Sequence, residues 1–386
     1  MSDSLVERVR ERLANESSRI RPGDVAAAIR AESGGVLGDS EVLTNLRLLE
    51  TELQGAGILE PLLRAEGVTD VLVAAPNSVW VDDGSGLTRS AVTFADESSV
   101  RRLAQRLALA VGRRLDEAQP WVDGRLPGIG RDGLTVRLHA VLPPVASAGT
   151  CLSLRVLRPA TQDLASLCAA GAIDRVALQM IADVVEARLA FVVSGGTGAG
   201  KTTLLAAILG AVSASERIVC IEDAPELAPV HPHFVRLVAR ASNVEGAGEI
   251  TLRQLVRQSL RMRPDRIVLG EVRGAEVVDL LTALNTGHDG GAGTVHANSP
   301  AEVPARMEAL AALGGLDRTA LHSQLAAAIQ VVFHMCRTRG GARRLTEIGL
   351  IRAAGEAVQV LPVWHIERGL QRGAEALRQL LDERLP

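Results

Sequence analysis

The sequence predicts an α/β fold with a buried parallel sheet in the second half of the chain. Three unbroken apolar runs support this prediction, at residues 189–194, 218–221 and 267–269. Strands that are buried on both faces of a parallel sheet are apolar throughout rather than alternating. Helix-like segments separate the three runs, glycines follow the first, and carboxylates follow the other two. Because ligands of such folds bind at the carboxyl ends of the strands, we expect a functional site there.

A smaller α/β domain is predicted before this sheet, and a polar helical arm before that domain. Alternating stretches at 71–73, 79–81, 134–139 and 151–156 predict strands, and an amphipathic stretch predicts a helix over 98–112. The segment after this domain, from Pro159 to about Gly171, contains residues that break regular secondary structure, which is typical of an interdomain connection. The predicted organisation is a helical arm over 1–45, an N-terminal α/β domain over 46–157, a linker over 158–172 and a second α/β domain over 173–386.

Composition argues against nucleic-acid binding and against zinc. The 386 residues carry a formal net charge of −3 and only 2% aromatic residues, so general attraction to nucleic acid and base stacking are both weak. The four cysteines form no C-x-x-C pair, which argues against a zinc site and a disulfide framework. The 42 basic residues comprise 41 arginines and one lysine, Lys201. Any chemistry that needs a lysine amine must therefore use Lys201.

The sequence predicts a cytoplasmic protein. The first residues show neither an apolar signal core nor an acid-poor transit stretch. The longest charge-free window, residues 319–336, includes two histidines, two glutamines and a serine, and is too polar for a membrane span. We therefore expect any role at a membrane to go through a partner protein.

The sharpest motif is the segment 195–202, which matches G-x-x-x-x-G-K-[ST] and which we call the phosphate loop. It follows an apolar strand and precedes a helix-like stretch, as the motif requires. Its glycines let backbone N–H groups surround phosphates, and the helix adds the positive end of its dipole. Lys201 is expected to reach the β- and γ-phosphates, and the Thr202 hydroxyl to bind Mg²⁺. The sequence therefore predicts a nucleoside triphosphate site.

Two carboxylates at strand ends are the candidates for hydrolysis. Glu271 follows the run at 267–269, where Gly270 holds the position usually taken by the Walker B aspartate, so Glu271 is the candidate base for the attacking water. Glu222 follows the run at 218–221 and is a candidate to hold the metal or the water. Either carboxylate could meet Mg²⁺ directly or through water. The alternatives are a helix cap at Glu271 and a structural acidic turn at Glu222.

Two histidines flank a glycine-rich loop further along the chain. His288 and His296 lie eight residues apart, which fits no zinc spacing. His296 ends a predicted short strand and is expected beside the phosphates, where an imidazole can hydrogen-bond the γ-phosphate and respond when it leaves. A structural role is the alternative for a lone histidine.

Together these motifs resemble a known family. Five segments look like the ordered boxes of the type II/type IV secretion ATPases, hexameric motors of conjugation, pilus assembly and pilus retraction. They are residues 195–202, 221–223, 260–266, 270–274 and 285–298, and the likeness covers about residues 55–350. It is strongest to the CpaF subgroup, which powers Tad/Flp-type pili and is sometimes called a conjugal-transfer protein. The glycine stretch at 290–293 is barer than in most members, and the four-cysteine zinc insertion of some type II members is absent.

The resemblance implies a RecA-like ATPase domain that uses ATP and Mg²⁺, forms a homo-oligomer, expected to be a hexamer, and docks on an inner-membrane platform protein at the cytoplasmic face. It implies phosphate or nucleotide contacts for Gly195, Gly196, Thr197, Gly198, Ala199, Gly200, Lys201, Thr202, Thr203 and His288. It implies catalytic roles for Glu271, Glu222 and His296. It implies arginines that reach the nucleotide, for which Arg137, Arg155, Arg240, Arg257 and Arg273 are candidates; ordinary surface positions are the alternative in so arginine-rich a chain.

Two other functions stay open at this point. One is a switch that binds ATP with negligible hydrolysis, and the other is a conjugal DNA or RNA translocase built on the same core. The single lysine excludes further classes, because a GTPase base motif of the Asn/Thr-Lys-x-Asp type, a kinase strand lysine and a Schiff-base lysine would each need a lysine outside the phosphate loop.

Overall fold

The described part of the chain divides into two compact units. The computed structural model describes residue 31 and residues 55–243, 246–338 and 340–385. The division falls between Arg158 and Pro159. The predicted helical arm over 1–45 lies outside the described residues, apart from residue 31.

The first unit is built on a six-stranded antiparallel sheet with the order β3-β2-β1-β6-β5-β4. Its strands are β1 (Asp70–Ala75), β2 (Ser78–Asp82), β3 (Leu87–Arg89), β4 (Trp121–Leu126), β5 (Val136–Val141) and β6 (Cys151–Val156). Its helices are α1 (Glu60–Leu63) and α2 (Glu97–Ala110), with 3-10 turns at Gly57–Leu59 and Arg131–Gly133. The strands predicted around 71–73, 79–81, 134–139 and 151–156 are confirmed.

Helix α2 covers one face of this sheet. It begins at Glu97 because the Asp96 side chain accepts a hydrogen bond from the Ser99 backbone N–H at 2.7 Å, which caps the first turn. Val100, Leu103 and Leu107 recur at helical spacing and are buried in the core of the unit. The predicted helix is thus confirmed, with each end shifted by one or two residues.

The second unit contains a nine-stranded sheet with the order β15-β14-β13-β12-β7-β11-β10-β8-β9. The strands from β12 to β9 in this order are parallel, and β13 to β15 extend the sheet in antiparallel fashion. They are β7 (Phe191–Gly195), β8 (Ile218–Glu222), β9 (Phe234–Val238), β10 (Arg266–Val272), β11 (Ala292–Val295), β12 (Val331–Arg337), β13 (Arg343–Ala354), β14 (Ala357–His365) and β15 (Gly369–Leu370). The parallel sheet predicted from the three apolar runs is confirmed.

Helices cover both faces of this sheet, and the two faces have separate apolar cores. Along β7, Phe191 and Val193 pack into one core and Val192 into the other, as strand alternation requires. The first core holds α3 (Leu164–Ala169), α4 (Arg175–Glu186), α5 (Lys201–Gly210) and α10 (Ala374–Asp382). The second holds α6 (Leu252–Ser259), α7 (Glu276–Leu284), α8 (Val303–Ala312) and α9 (Arg318–Ala328), so α5 and α8 lie on opposite faces.

The segment predicted as a linker, residues 158–172, includes helix α3. Leu164 and Leu167 of α3 are buried in the first core of the second unit. Apolar side chains at helical spacing therefore attach most of this segment to the second unit.

A buried arginine lies at the amino-terminal edge of the second sheet. Arg266 is 1% exposed, and its Nε and Nη2 donate to the two carboxylate oxygens of Glu216 at 2.9 and 3.0 Å. Nη2 also donates to the Val185 carbonyl at 2.8 Å. The paired hydrogen bonds offset the cost of removing both charges from water.

We expect Arg266→Ala to lower the free energy of unfolding by about 3–5 kcal/mol, because the largely buried Glu216 carboxylate would lose both paired hydrogen bonds and keep only its ion pair with the half-exposed Arg188. The matched control is Arg378→Ala, which breaks an exposed pair with Glu375 and should cost about 0–1 kcal/mol. Urea unfolding of both variants measures the difference. Equal losses in the two variants would contradict the structural role of Arg266.

Candidate nucleotide site

The phosphate loop connects the carboxyl end of β7 to the start of α5. At Gly195 the backbone passes so close to β12 that a Cβ would lie 2.3 Å from the Met335 carbonyl oxygen. Gly200, the residue before α5, has a φ of 95°, a left-handed conformation that favours glycine. The close approach to β12 therefore requires a glycine at 195, and the left-handed backbone before the helix favours a glycine at 200. The first-turn N–H groups of α5 lack carbonyl partners within the helix and can bind phosphates.

Lys201 is buried at the start of α5. Its Nζ donates hydrogen bonds to the carbonyl oxygens of Gly195 and Gly196 at 3.1 and 2.9 Å, and lies 3.5 Å from both ring nitrogens of His296. Burial lowers the pKa of the Lys201 amine. A buried ammonium held by two neutral carbonyls of the phosphate loop is a strong electrostatic partner for a phosphate group.

Three side chains from neighbouring strand ends meet next to Lys201. Nε2 of His296, directly after β11, lies 2.5 Å from Oε1 of Glu271 on β10. Arg273 forms an ion pair with the other oxygen of Glu271. Burial, followed by the nearby Lys201 charge, lowers the pKa of His296, which favours a neutral imidazole near pH 7. The structure thus brings Lys201, Glu271, His296 and Arg273 together.

Glu222 is buried at the end of β8, beside Gly270. One carboxylate oxygen accepts hydrogen bonds from the backbone N–H groups of Glu226 and Leu227 at 3.0 and 2.9 Å. The other lies 3.1 Å from Nε of Arg236. Burial raises the pKa of Glu222. A Cβ at Gly270 would lie 2.7 Å from Cγ of Glu222, so Glu222 fills the space that a side chain at 270 would need.

We expect Gly270→Ala to destabilise the second unit by about 1–3 kcal/mol, because the added methyl group overlaps a buried side chain held by three partners. The control is Gly210→Ala, whose Cβ would meet its nearest neighbours at an ordinary 3.8 Å. Thermal or urea unfolding reports the difference between the variants. A Gly270→Ala protein as stable as the Gly210→Ala protein would show that Glu222 moves aside freely.

The oxygen ligands at this site suit Mg²⁺. Thr202 offers a hydroxyl next to the phosphate loop lysine, and Oε1 of Glu271 is a buried carboxylate oxygen beside Nε2 of His296. Hard oxygen ligands of this kind are what Mg²⁺ prefers. The described part of the chain contains no cluster of three or more His, Cys, Asp or Glu side chains able to hold a metal. Mg²⁺ would accordingly be held jointly by Thr202, the carboxylates and nucleotide phosphates.

Other predicted site residues lie elsewhere. His288 precedes β11, so it lies at the amino-terminal edge of the sheet, opposite the phosphate loop, where its Nδ1 is 3.0 Å from the Ala283 carbonyl oxygen. Arg240 follows the edge strand β9 and donates to the Gly248 carbonyl at 2.8 Å. Arg257 on α6 pairs with Asp279 at 2.8 Å. The structure does not bring these three residues to the phosphate loop of their own chain.

Arg137 and Arg155 belong to the first unit. They are direct register partners on the neighbouring strands β5 and β6. Arg137 pairs with Asp123 at 2.7 Å and Arg155 with Asp70 at 2.8 Å. The two guanidinium groups therefore occupy one face of the first sheet, each balanced by an aspartate.

Two arginine contacts at the site were not predicted from the sequence. Arg236 of β9 pairs with Glu222, and Nε of Arg343, at the start of β13, donates to the Gly198 carbonyl of the phosphate loop at 3.0 Å. Arg236 interrupts an otherwise apolar strand, a pattern that could have indicated a buried acidic partner. Nothing local to Arg343 indicates its contact, since 145 residues separate it from Gly198.

Comparison with known proteins identifies the family. The sequence model of the family described as "Type II/IV secretion system protein" matches residues 52–359. The chain belongs to this family of type II/IV secretion ATPases. The resemblance predicted from the ordered motifs is thereby confirmed at the level of the family.

Two proteins with sequences similar to this chain have names that refer to conjugal transfer and to type IV secretion. A putative conjugal transfer protein of Mycobacterium tuberculosis H37Rv is 74% identical over 349 residues, covering 90% of this chain and 99% of that protein. The type IV secretion system protein PtlH of Bordetella pertussis is 32% identical over 269 residues, covering 62% of this chain and 76% of PtlH.

Solved structures of other secretion ATPases have the same fold. The pilus retraction motor PilT, determined with bound ADP, has a TM-score of 0.51 at 19% identity, covering 90% of this chain and 87% of PilT. The ATPase DotB of Legionella pneumophila has a TM-score of 0.50 at 16% identity, covering 84% of this chain and 86% of DotB. The predicted α/β architecture, a RecA-like ATPase domain after a smaller N-terminal α/β domain, is confirmed.

Among residues 55–243, 246–338 and 340–385, no helix is both long enough and apolar enough to cross a bilayer.

Proposed function

We propose that the protein is an ATPase motor that hydrolyses ATP to drive assembly of a Tad/Flp-type pilus or type II/IV secretion. It works as a homo-oligomer, expected to be a hexamer, docked on an inner-membrane platform protein at the cytoplasmic face. The observation that carries this proposal is the contact of Lys201 with His296 and of His296 with Glu271, beside a complete phosphate loop. Membership in the secretion ATPase family supports it.

Each side chain of the site has a distinct part in the proposed reaction. The phosphate loop and Lys201 bind the β- and γ-phosphates. Glu271 accepts a proton from water as its oxygen attacks the γ-phosphorus, the bond to the β–γ bridging oxygen breaks, and ADP and inorganic phosphate form. Bound Mg²⁺ would neutralise charge on the phosphates. His296 hydrogen-bonds the γ-phosphate and moves with β11 when that group leaves.

We expect Arg137→Ala and Arg155→Ala to lower ATP turnover about 10-fold or more while weakening nucleotide binding less, because a cation that completes the site acts mainly on transition-state charge. The matched control is Arg89→Ala, at an exposed arginine of the same unit that donates to the Asn77 carbonyl. Steady-state phosphate release and equilibrium binding of a fluorescent ATP analogue give the two readouts. Wild-type turnover in both variants would refute this role for Arg137 and Arg155.

Conjugal DNA transfer is the second candidate function, and it is favoured by the name of the 74% identical mycobacterial relative. A translocase should show ATPase stimulation by single-stranded DNA that is lost at high salt, because phosphate contacts release counterions. A pilus or secretion motor should show no such stimulation. The net charge of −3 and the scarcity of aromatic residues favour the second outcome.

A further inference from the structure

A buried polar pair lies on the face of the second sheet opposite α5. Ser194 of β7 and His334 of β12 are direct register partners, and they are 0% and 2% exposed. Oγ of Ser194 lies 2.8 Å from Nδ1 of His334. Val192 and Val332, two positions earlier on the same strands, pack into the second core. Because side chains alternate along a strand, Ser194 and His334 share that face. Ser194 directly precedes the phosphate loop.

The imidazole of His334 connects Ser194 to a third segment of the chain. Burial lowers the pKa of His334, which favours the neutral imidazole at pH 7, whereas a hydrogen bond with the Asn298 backbone raises that pKa. A backbone carbonyl raises the pKa of a histidine when it accepts a hydrogen bond from a ring N–H. Since Nδ1 faces the Ser194 hydroxyl and accepts from it, Nε2 carries the proton and donates to Asn298.

The segment at residues 296–298, which follows β11, is not held by the sheet. The pairing of β11 with β7 ends at Val295. Within the part of the chain that the structure describes, residues 296–298 make no hydrogen bond from backbone to backbone. Side chains hold the segment instead: Glu302 accepts from the backbone N–H of Asn298 at 3.2 Å, and His334 contacts Asn298 from β12. Because β7 lies between β11 and β12 in the sheet, His334 reaches this segment across β7.

The first residue of this segment, His296, belongs to the nucleotide site. Its Nε2 lies 2.5 Å from Oε1 of Glu271, and both ring nitrogens lie 3.5 Å from Nζ of Lys201. Asn298 is only two residues further along the chain, so a displacement of the Asn298 backbone also displaces His296. A misplacement of about 1 Å can lower the rate of an enzymatic reaction about 10²-fold.

Burial alone does not require a polar pair at these two positions. When both partners of a buried hydrogen bond are replaced by apolar side chains of similar shape, stability can stay nearly unchanged. Val192 and Val332, the neighbours on the same face, are apolar and buried, so an apolar pair would suit the second core. The polar groups of Ser194 and His334 therefore contribute what an apolar pair would not, namely the contact with Asn298.

We propose that His334, held in place by Ser194, is a positioning residue of the nucleotide site. It fixes residues 296–298 and so keeps His296 beside Glu271. The assignment rests on the proposed hydrolysis of ATP. Because His334 acts through His296, its loss affects the cleavage of ATP more than the binding of the nucleotide, which depends on the phosphate loop.

The test measures single-turnover cleavage of ATP, equilibrium binding of a fluorescent ATP analogue and urea unfolding of the full chain. We expect His334→Leu to lower the cleavage rate about 10–100-fold and the affinity for the analogue about twofold at most, because misplacement of His296 acts on the reaction and not on the phosphate loop. His334→Gln should recover most of the rate, since its amide N–H can donate to Asn298 in place of Nε2. Ser194→Ala, which keeps the imidazole but removes its partner, should slow cleavage by a smaller factor.

The matched control is His322→Leu, at another buried histidine of the second unit. Nδ1 of His322 accepts from the Val358 N–H at 3.1 Å, and no contact of this histidine involves the nucleotide site. We expect His322→Leu to lower stability without slowing cleavage. Equal slowing in His322→Leu and His334→Leu, or cleavage at the wild-type rate in His334→Leu, would overturn the proposal.

A double-mutant cycle tests whether His334 acts through His296. If it does, the protein with both His296→Ala and His334→Leu should cleave ATP no more slowly than His296→Ala alone, because the second substitution then has no imidazole left to displace. Losses that multiply in the double variant would mean that the two histidines act independently, and they would contradict the proposed role.

Hydrogen exchange gives a readout that needs no hydrolysis. The backbone amides of residues 296–298 should exchange about tenfold faster in His334→Leu than in the wild type, because the segment loses a contact that holds it, and should not change in His322→Leu. Unchanged exchange in His334→Leu would overturn the proposal. Selectively faster exchange, found together with a wild-type protein that hydrolyses no ATP, would contradict the proposed function and not the positioning of the segment by His334.

Discussion

Lys201→Ala is expected to lower ATP turnover by about 10²–10³-fold, because it removes a preorganised cation that meets charge developing on the β- and γ-phosphates. The amine is buried, is bound by two loop carbonyls and contacts His296, so its removal leaves these buried groups without their cation. Phosphate release and binding of a fluorescent ATP analogue measure the loss.

A second substitution, Lys201→Arg, tests whether the shape of the cation matters as well as its charge. A chain with 41 arginines tolerates arginine at nearly every cationic position, yet it keeps its one lysine here. The planar guanidinium is wider than an ammonium and cannot donate to the Gly195 and Gly196 carbonyls from the same buried point. We therefore expect turnover in Lys201→Arg to fall nearly as far as in Lys201→Ala. Turnover near that of the wild type in Lys201→Arg would show that charge alone is sufficient.

Glu271→Gln is expected to lower kcat about 10²–10⁴-fold while nucleotide binding is retained, because the amide keeps the shape of the carboxylate but accepts no proton from water. Glu375→Gln, at an exposed position on α10, is the matched control and should leave both quantities unchanged. Single-turnover hydrolysis separates cleavage from product release.

The same measurement separates the motor from a nucleotide-gated switch. A switch predicts negligible cleavage by the wild-type protein and no further effect of Glu271→Gln. A motor predicts measurable cleavage that depends on Glu271. Wild-type protein that binds ATP but shows no turnover, alone or with its platform partner, would rule out the motor.

The sequence was most informative where structure is encoded locally. The phosphate loop is a continuous motif between a strand and a helix, so its site at the end of β7 could be predicted from neighbouring residues alone. The apolar runs likewise predicted β7, β8 and β10, because a strand that is buried on both faces of a sheet is apolar throughout.

Contacts that depend on sheet order could not be predicted in the same way. His288 and His296 look alike in the sequence, but β11 separates them to opposite edges of the sheet, and only His296 reaches Lys201 and Glu271. Arg236 reaches Glu222 because β9 pairs with β8, and Arg343 reaches Gly198 because β13 turns back from β12. Such pairings depend on how segments that are distant in the sequence pack together, and no short motif predicts that packing.

The overlap between Glu222 and a side chain at position 270 links two residues that are 48 positions apart. An aspartate at 270 should be disfavoured while position 222 keeps a long side chain, because both need the same volume, with Cγ of Glu222 only 2.7 Å from the added Cβ. Substitutions at the two positions should therefore tend to be inherited in pairs. We expect related sequences with an acid at 270 to have a smaller residue at 222, and Gly270→Asp should be tolerated best when it is combined with Glu222→Ser.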